Sequence, residues 1–212
     1  MAESRHAVMR LSRYRRCLLD LRDLGYERVF SNNLGEAAGV SAVQVRKDFS
    51  AFGISGNRKA GYRIEYLLER INAILGKEHP QHVVLIGAGN LGSALLKYRG
   101  FAREAIRIVA AFDADPAKHS RTGPIPVLPL AELFSFIRQH QVKVAILTVP
   151  AAVAQEVAEQ LVSAGIRGIL NFSPVSLKVP QKVIVSNINL AIELENLLYH
   201  VNAAERHASQ AG

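Results

Sequence analysis

The chain of 212 residues contains one cysteine, Cys17. An internal disulfide is therefore excluded, and no spacing of cysteine and histidine resembles a zinc site, so no metal is expected. Sparse cysteine suits a reducing compartment, and a cytoplasmic location is expected. Cys17 sits among leucines in "RRCLLDL" and reads as a small buried hydrophobe rather than a redox thiol. No apolar run approaches the roughly 20 residues that span a bilayer, so no membrane partner is expected. The opening "MAESRHAVMR" carries charges and no apolar core, unlike a secretory signal. Internal repeats and low-complexity tracts are also missing.

Hydrophobic residues make up 49% of the chain, enough for one large or two small packed cores. The net charge is +8, and it is unevenly spread. The first 78 residues hold 14 of the 26 basic residues but only 9 of the 18 acidic ones. A polyanion is the natural partner for that front third, DNA or RNA first.

Two halves follow different patterns. Up to about Gly76 the apolar spacing is helical: Leu11, Tyr14, Leu18 and Leu21 form one face, and Gly25 ends that helix. In "SNNLGEAAGV", Ser31 is the expected cap, and Leu34, Ala37 and Ala38 the apolar face. Gly39 breaks this helix, and Ser41 caps a third, "SAVQVRKDFSAF". Helix, glycine turn, helix is the helix-turn-helix pattern. "GISGNRKAGYR" reads as a two-stranded hairpin, or wing, and "IEYLLERINAIL" as a further helix. "GKEHPQH" marks a boundary. Beyond it, "VVLIG", "IRIVAAFD", "KVAILTVP", "GILNFSP" and "KVIVSN" are short apolar runs without polar alternation, which suits strands buried on both faces. Helical stretches separate most of them, which means a doubly wound α/β domain. The expected division is a winged-helix DNA-binding domain over 1–78, a Rossmann-type parallel-sheet domain over 79–187, and a C-terminal helix and tail over 188–212. In that last helix Leu190, Leu194, Leu197 and Val201 make a stripe at spacings of four, three and four.

The segment "GAGNLG" supplies Gly87, Ala88, Gly89, Asn90, Leu91 and Gly92, a G-x-G-x-x-G turn between a strand and a helix. Gly87 allows the tight turn, Gly89 leaves room for a pyrophosphate, and Gly92 lets helix and strand approach. Asp113 closes the next strand and is placed to bond the adenosine ribose hydroxyls, favouring NAD(H) over NADP(H). Asp115 lies close enough to share or replace that role. In the third helix, Ala42, Val45, Phe49 and Phe52 fall in one arc, the core face. Gln44, Arg46, Lys47 and Ser50 fall opposite, a face that suits the major groove of double-stranded DNA. In the wing, Arg58 and Lys59 lie between Gly56 and Gly61, where an arginine suits a narrow minor groove. Arg13, Arg15 and Arg16 lie on the first helix, and phosphate contacts are expected among them.

These halves in this order resemble the Rex family of redox-sensing bacterial transcriptional repressors. The resemblance runs from about Met9 to Val201, through "GVSAVQVRKDFSAFG", "GNRKAGY", "VVLIGAGNLGSALLKYRGF", "VAAFDADP", "VAILTVPA", "AGIRGILNFSPV" and "VSNINLAIELENL". It implies a homodimer whose C-terminal helix is swapped between subunits, binding operator DNA and leaving it when NADH rises, with NAD⁺ as the competing ligand. It further implies that Thr148, Val149 and Pro150, with Asn171, Phe172 and Ser173, line the nicotinamide side. Tyr98 matches a family tyrosine near the nicotinamide, and Arg16 its arginine partner. Asn189 stands where an aspartate is common, so it cannot form an ion pair with Arg16. Lys118–Ser120, Ser173 and Lys59 also depart from the family pattern. The switch is expected to involve Arg16, Tyr98, Asn189 and Leu190.

A dehydrogenase with an accessory basic domain is the competing class. It needs an acid/base group and a substrate domain, and the second half offers neither. A non-enzymatic regulator is therefore expected. A dimer that binds DNA constitutively is a third reading.

Overall fold

A computed structural model describes residues 5–56 and 60–210, with side chains described for 6–56 and 60–206. The chain divides into two compact units, Met1–Pro80 and Gln81–Gly212. In the first, α1 (Arg5–Asp23) turns its period of three and four inward, and Leu11, Tyr14 and Leu18 are fully buried. The chain then forms β1 (Arg28–Val29), α2 (Ser31–Ala38), α3 (Ala42–Ala51), β2 (Tyr62–Arg63) and α4 (Ile64–Ile74). Phe49 of α3 is the centre of this core, edge-on to Tyr14 at 5.6 Å and to Tyr62 at 5.2 Å.

Several local expectations change here. Ser31 is the first residue of α2 rather than its cap, because Phe30 takes the extended conformation before the helix. Leu34 and Ala38 are buried as expected, but Ala37 faces solvent and Gly35 takes its place inside. Gly39 does end the helix in the left-handed conformation, and the Ser41 hydroxyl does cap α3, accepting from the Gln44 N–H at 3.1 Å. Among the described residues, Tyr62–Arg63 pairs not within its own segment but antiparallel with Arg28–Val29, a strand too short to carry a period.

The second unit is a six-stranded parallel sheet in the order β5-β4-β3-β6-β7-β8. Its strands are β3 (Gln81–Ile86), β4 (Ile106–Asp113), β5 (Val127–Pro129), β6 (Val144–Leu147), β7 (Gly168–Asn171) and β8 (Ile184–Asn187). The helices are α5 (Asn90–Leu96), α6 (Gly100–Arg103), α7 (Leu133–His140), α8 (Ala151–Ala164) and α9 (Leu190–Gln210). Both sheet faces are covered. Val84, Ile86, Phe112 and Leu147 pack toward α7 and α8, while Val83, Leu85, Ala111 and Ile146 pack toward Leu95 and Phe101. Double coverage is why the strands read as unbroken apolar runs. The chain leaves β3 for β4 on one side and returns to β6 on the other. The carboxyl ends of β3 and β6 therefore diverge into a crevice, the usual ligand position in such sheets. No helix among the described residues is long and apolar enough to cross a membrane.

Candidate functional site

In the first unit, α3 separates its residues as its helical angles demand. Val45 and Phe49 are buried, Ala42 and Phe52 are half-buried, and Arg46, Lys47 and Ser50 are exposed on the other side. Gln44 is half-buried, and its amide reaches one turn forward along the helix and donates to Asp48 Oδ1 at 2.8 Å. Asp48 is buried and serves as a hub. Arg10 of α1 grips it through Nε at 2.6 Å and a terminal nitrogen at 2.7 Å, and the Tyr14 hydroxyl donates at 2.8 Å. Burial pushes the Asp48 carboxyl up, but the donors Arg10, Tyr14 and Gln44 outweigh it and hold the group below its ordinary value. The same burial, with the neighbouring carboxylate, drives the Tyr14 hydroxyl up. Both groups therefore keep their roles at neutral pH, carboxylate accepting and hydroxyl donating.

Arg15 corrects an expectation. It is buried, and its Nε donates to Asn72 Oδ1 of α4 at 2.6 Å, so it braces two helices instead of facing a phosphate. Arg13 and Arg16 of the same helix are exposed. Arg58 and Lys59 lie outside the described residues.

In the second unit the glycine turn follows β3 directly. Gly87 has φ of +97°, and a Cβ there would meet the Thr148 carbonyl oxygen at 2.8 Å. A Cβ on Gly92 would stand 1.9 Å from the Gly87 oxygen, so α5 crosses the turn at a separation only glycine permits. Thr148, at the end of β6, locks the turn: its hydroxyl lies 3.0 Å from the Ile86 oxygen and 2.7 Å from that of Gly87. Gly89 differs from both, since a Cβ built there meets nothing within 4 Å. The turn is tight where it touches protein and open where it faces the crevice.

That crevice has a volume of about 640 Å³. Gly87, Gly89, Asp113, Thr148, Val149 and Pro150 come together around it. Asp113, at the end of β4, is buried and already partnered. It accepts from the Ala88 N–H at 2.7 Å and the Asp115 N–H at 2.9 Å, with the Lys118 ammonium 3.2 Å away. Burial pushes its carboxyl up, but those N–H groups and Lys118 win and hold it below its ordinary value. Asp113 thus braces the glycine turn while facing the crevice, whereas Asp115 is exposed at the rim. Asn90 and Leu91 are exposed at the start of α5.

Other named residues do not line this crevice. Asn171 is fully buried: its amide donates to the Val175 carbonyl and to Asn187 Oδ1, and its oxygen accepts from the Ser173 N–H. The Ser173 hydroxyl donates to the Val149 carbonyl at 2.7 Å. These two side chains tie the loop after β7 to β8 and to the loop after β6. Phe172 packs on the sheet. Tyr98 is exposed, stands edge-on to Phe101 at 5.1 Å, and lines a separate cavity of about 470 Å³ with Phe101, Ile106 and Ile108. Asn189 caps α9, its Oδ1 accepting from the Ala191 and Ile192 N–H groups. Leu190, Leu194, Leu197 and Val201 are all exposed along that helix.

Sequence reasoning missed Asp48, Lys118 and the crevice wall formed by Val153, Glu156 and Gln160 of α8. The spacing of three and four after "TVP" marks that wall. Asn189 before a helical run is a cap signal. Asp48 sits in an otherwise basic segment, and only the approach of α1 explains it.

Residues 78–175 match the family described as CoA binding domain, and residues 4–50 the family described as "Putative DNA-binding protein N-terminus". The chain is 43% identical to redox-sensing transcriptional repressor Rex of Carboxydothermus hydrogenoformans, over 92% of its length and 94% of the relative's. It is 44% identical to the Rex repressor of Listeria monocytogenes, over 90% and 89%. Both are named as transcriptional repressors, not as enzymes. RSP, a Rex-family repressor, has been crystallised with β-NAD⁺ and operator DNA, and its chain superposes with a TM-score of 0.90 at 34% identity, covering 100% of this chain and 98% of its own. Its complex with β-NADH gives 0.85 at 33%, covering 99% of each. Identity at this level over nearly the full length, joined to an open glycine turn in one unit and a basic outward helix in the other, places the chain in the Rex family of redox-sensing transcriptional repressors.

Proposed function

We propose that the protein is a homodimer that binds double-stranded operator DNA through its first unit and NAD(H) through its second, and that NADH releases the DNA. The observation that carries this is Gly89, the one glycine of the turn where an added Cβ would meet no protein, at the mouth of the crevice. The N–H groups at the start of α5 then meet the pyrophosphate. Asp113 and Asp115 meet the ribose, and Thr148, Val149 and Pro150 continue the site past the turn. Asn171 and Ser173 act as struts that hold Val149 and the loop containing Phe172 in place. Ala88, buried against Asp113, shapes the turn. NADH and NAD⁺ share the adenosine and pyrophosphate, so those contacts do not discriminate. Discrimination falls on the nicotinamide, which is neutral when reduced and cationic when oxidised, and an apolar pocket penalises the cation.

Ser41, Gln44, Arg46, Lys47 and Ser50 serve the major groove, Arg16 the backbone, and Arg58 and Lys59 a minor groove. Arg16, Tyr98, Asn189 and Leu190 belong to the switch. The exposed stripe of α9 is the dimer surface, since leucines in such a row need a partner. A DNA-bound repressor of this kind works in the cytoplasm. Linkage makes the effect reciprocal: if NADH weakens DNA binding, DNA weakens NADH binding by the same factor. A switch from about 1:99 to 99:1 requires roughly 5.5 kcal/mol of differential binding, shared by two sites. A mobility shift of operator duplex, titrated in parallel with NAD⁺ and NADH, tests the proposal. Release by NADH at concentrations where NAD⁺ leaves the complex intact is expected. Equal release by both sinks it.

A further inference from the structure

The amide of a glutamine on a recognition helix is ambiguous. Turned one way it offers an acceptor to the groove, turned the other way donors, and rotation about its last bond interconverts them. Gln44 is not in that position. Its Nε2 donates to Asp48 Oδ1 at 2.8 Å, one helical turn on. Asp48 is itself immobile, being 3% exposed, held twice by Arg10 and once by Tyr14. An ionised carboxylate only accepts, so the amide nitrogen must face it. Flipping the amide would set two acceptor oxygens against each other and forfeit a hydrogen bond to a charged group. That costs about tenfold or more in population.

We propose that Asp48 is a positioning residue that fixes the Gln44 carbonyl oxygen toward the DNA, so that Gln44 selects a base bearing an exocyclic amino group. Adenine satisfies it best, because its N7 takes the second amide N–H, and cytosine satisfies the acceptor alone. This rests on the DNA-binding reading above.

The test uses the full chain, Asp48→Asn and Gln44→Ala, each mixed with duplexes carrying a randomised stretch, followed by sequencing of the bound fraction. Gln44→Ala is expected to erase preference at one position of each half-site, and at that position the unaltered protein favours adenine or cytosine about tenfold. In Asp48→Asn the carbonyl oxygen takes the place of Oδ2 and keeps Arg10 Nε and Tyr14, while the amide nitrogen takes the place of Oδ1, gives up the bond from the Arg10 terminal nitrogen and turns a donor to Gln44. Gln44 then flips, and preference at that position moves to guanine or thymine. A merely structural Asp48 weakens binding to all sequences and leaves the preference unchanged, and that result overturns the proposal. Should Asp48→Asn fail to fold by circular dichroism, Gln44→Ala decides: a position favouring guanine or thymine, or no position affected, overturns it equally. Failure of the unaltered protein to enrich any sequence refutes the DNA-binding reading itself.

Discussion

The glycine turn allows ligand binding and folding to be separated by one methyl group placed at two positions. At Gly92 a new Cβ stands 1.9 Å from the Gly87 oxygen and 3.1 Å from Thr148 Oγ1. That oxygen cannot retreat freely, because the Thr148 hydroxyl holds it at 2.7 Å. Overpacking against fixed backbone costs about 3 kcal/mol. For a chain of this size that lowers Tm by roughly 6–12 °C. At Gly89 the same methyl meets nothing within 4 Å, and φ is −72°, which alanine adopts. Gly89 precedes α5 as its cap, where alanine costs about 0.5–1 kcal/mol relative to glycine. Restricting the unfolded chain returns about 0.4–1 kcal/mol. The two offset, so Gly89→Ala leaves Tm within about 2 °C. Its methyl nevertheless occupies the space assigned to the pyrophosphate. NADH affinity, followed by titration calorimetry beside thermal unfolding, is expected to fall at least about tenfold, or 1.4 kcal/mol. Wild-type NADH affinity in Gly89→Ala refutes the placement of the pyrophosphate. A Tm loss equal to that of Gly92→Ala refutes the account of how the turn packs.

Asp113 contributes stability that depends on pH. Its folded-state pKa is depressed, so the contribution is present above the ordinary carboxylate value near 4 and disappears as pH falls through the lower folded value. Thermal unfolding from pH 6 to pH 2 is expected to show an acid limb that Asp113→Asn flattens, at a cost near neutral pH of about 1–3 kcal/mol from the weakened bonds to Ala88 and Asp115. An unchanged acid limb removes Asp113 from that role. Leu194→Glu on α9 is expected to shift the protein from dimer to monomer in size-exclusion chromatography with light scattering. Leu194 is 57% exposed within the chain, so monomer folding by circular dichroism stays intact. A dimer that survives the charge places the interface elsewhere.

Much of this was legible in the sequence because it is local. A helical period needs only neighbours three and four apart, and it identified Leu11, Tyr14 and Leu18 as core and Arg46, Lys47 and Ser50 as surface. Strand, G-x-G-x-x-G and closing acid follow one another within a single βαβ unit, so "GAGNLG" and Asp113 announced the crevice. Gly92 and Gly39 were readable for the same reason: each answers a constraint set by adjacent backbone.

Only the tertiary structure decided which polar groups have partners within the protein. Arg15 reads like Arg13 and Arg16 beside it, yet Asn72, far along the chain, takes it out of the surface. Asp48 reads as a stray acid on a basic helix until Arg10 and Tyr14 close on it. Asn171 and Ser173 read as ligand contacts, and the structure shows their side chains buried and bonded within the protein. The physical reason is common to all of them. A polar side chain has no periodicity to betray its partner, and burial commits it to whichever donor or acceptor the distant chain brings within about 3 Å. The sequence determined which residues seek the core and where the backbone must turn tightly. The fold determined which of the remaining charges and amides are left to face a ligand.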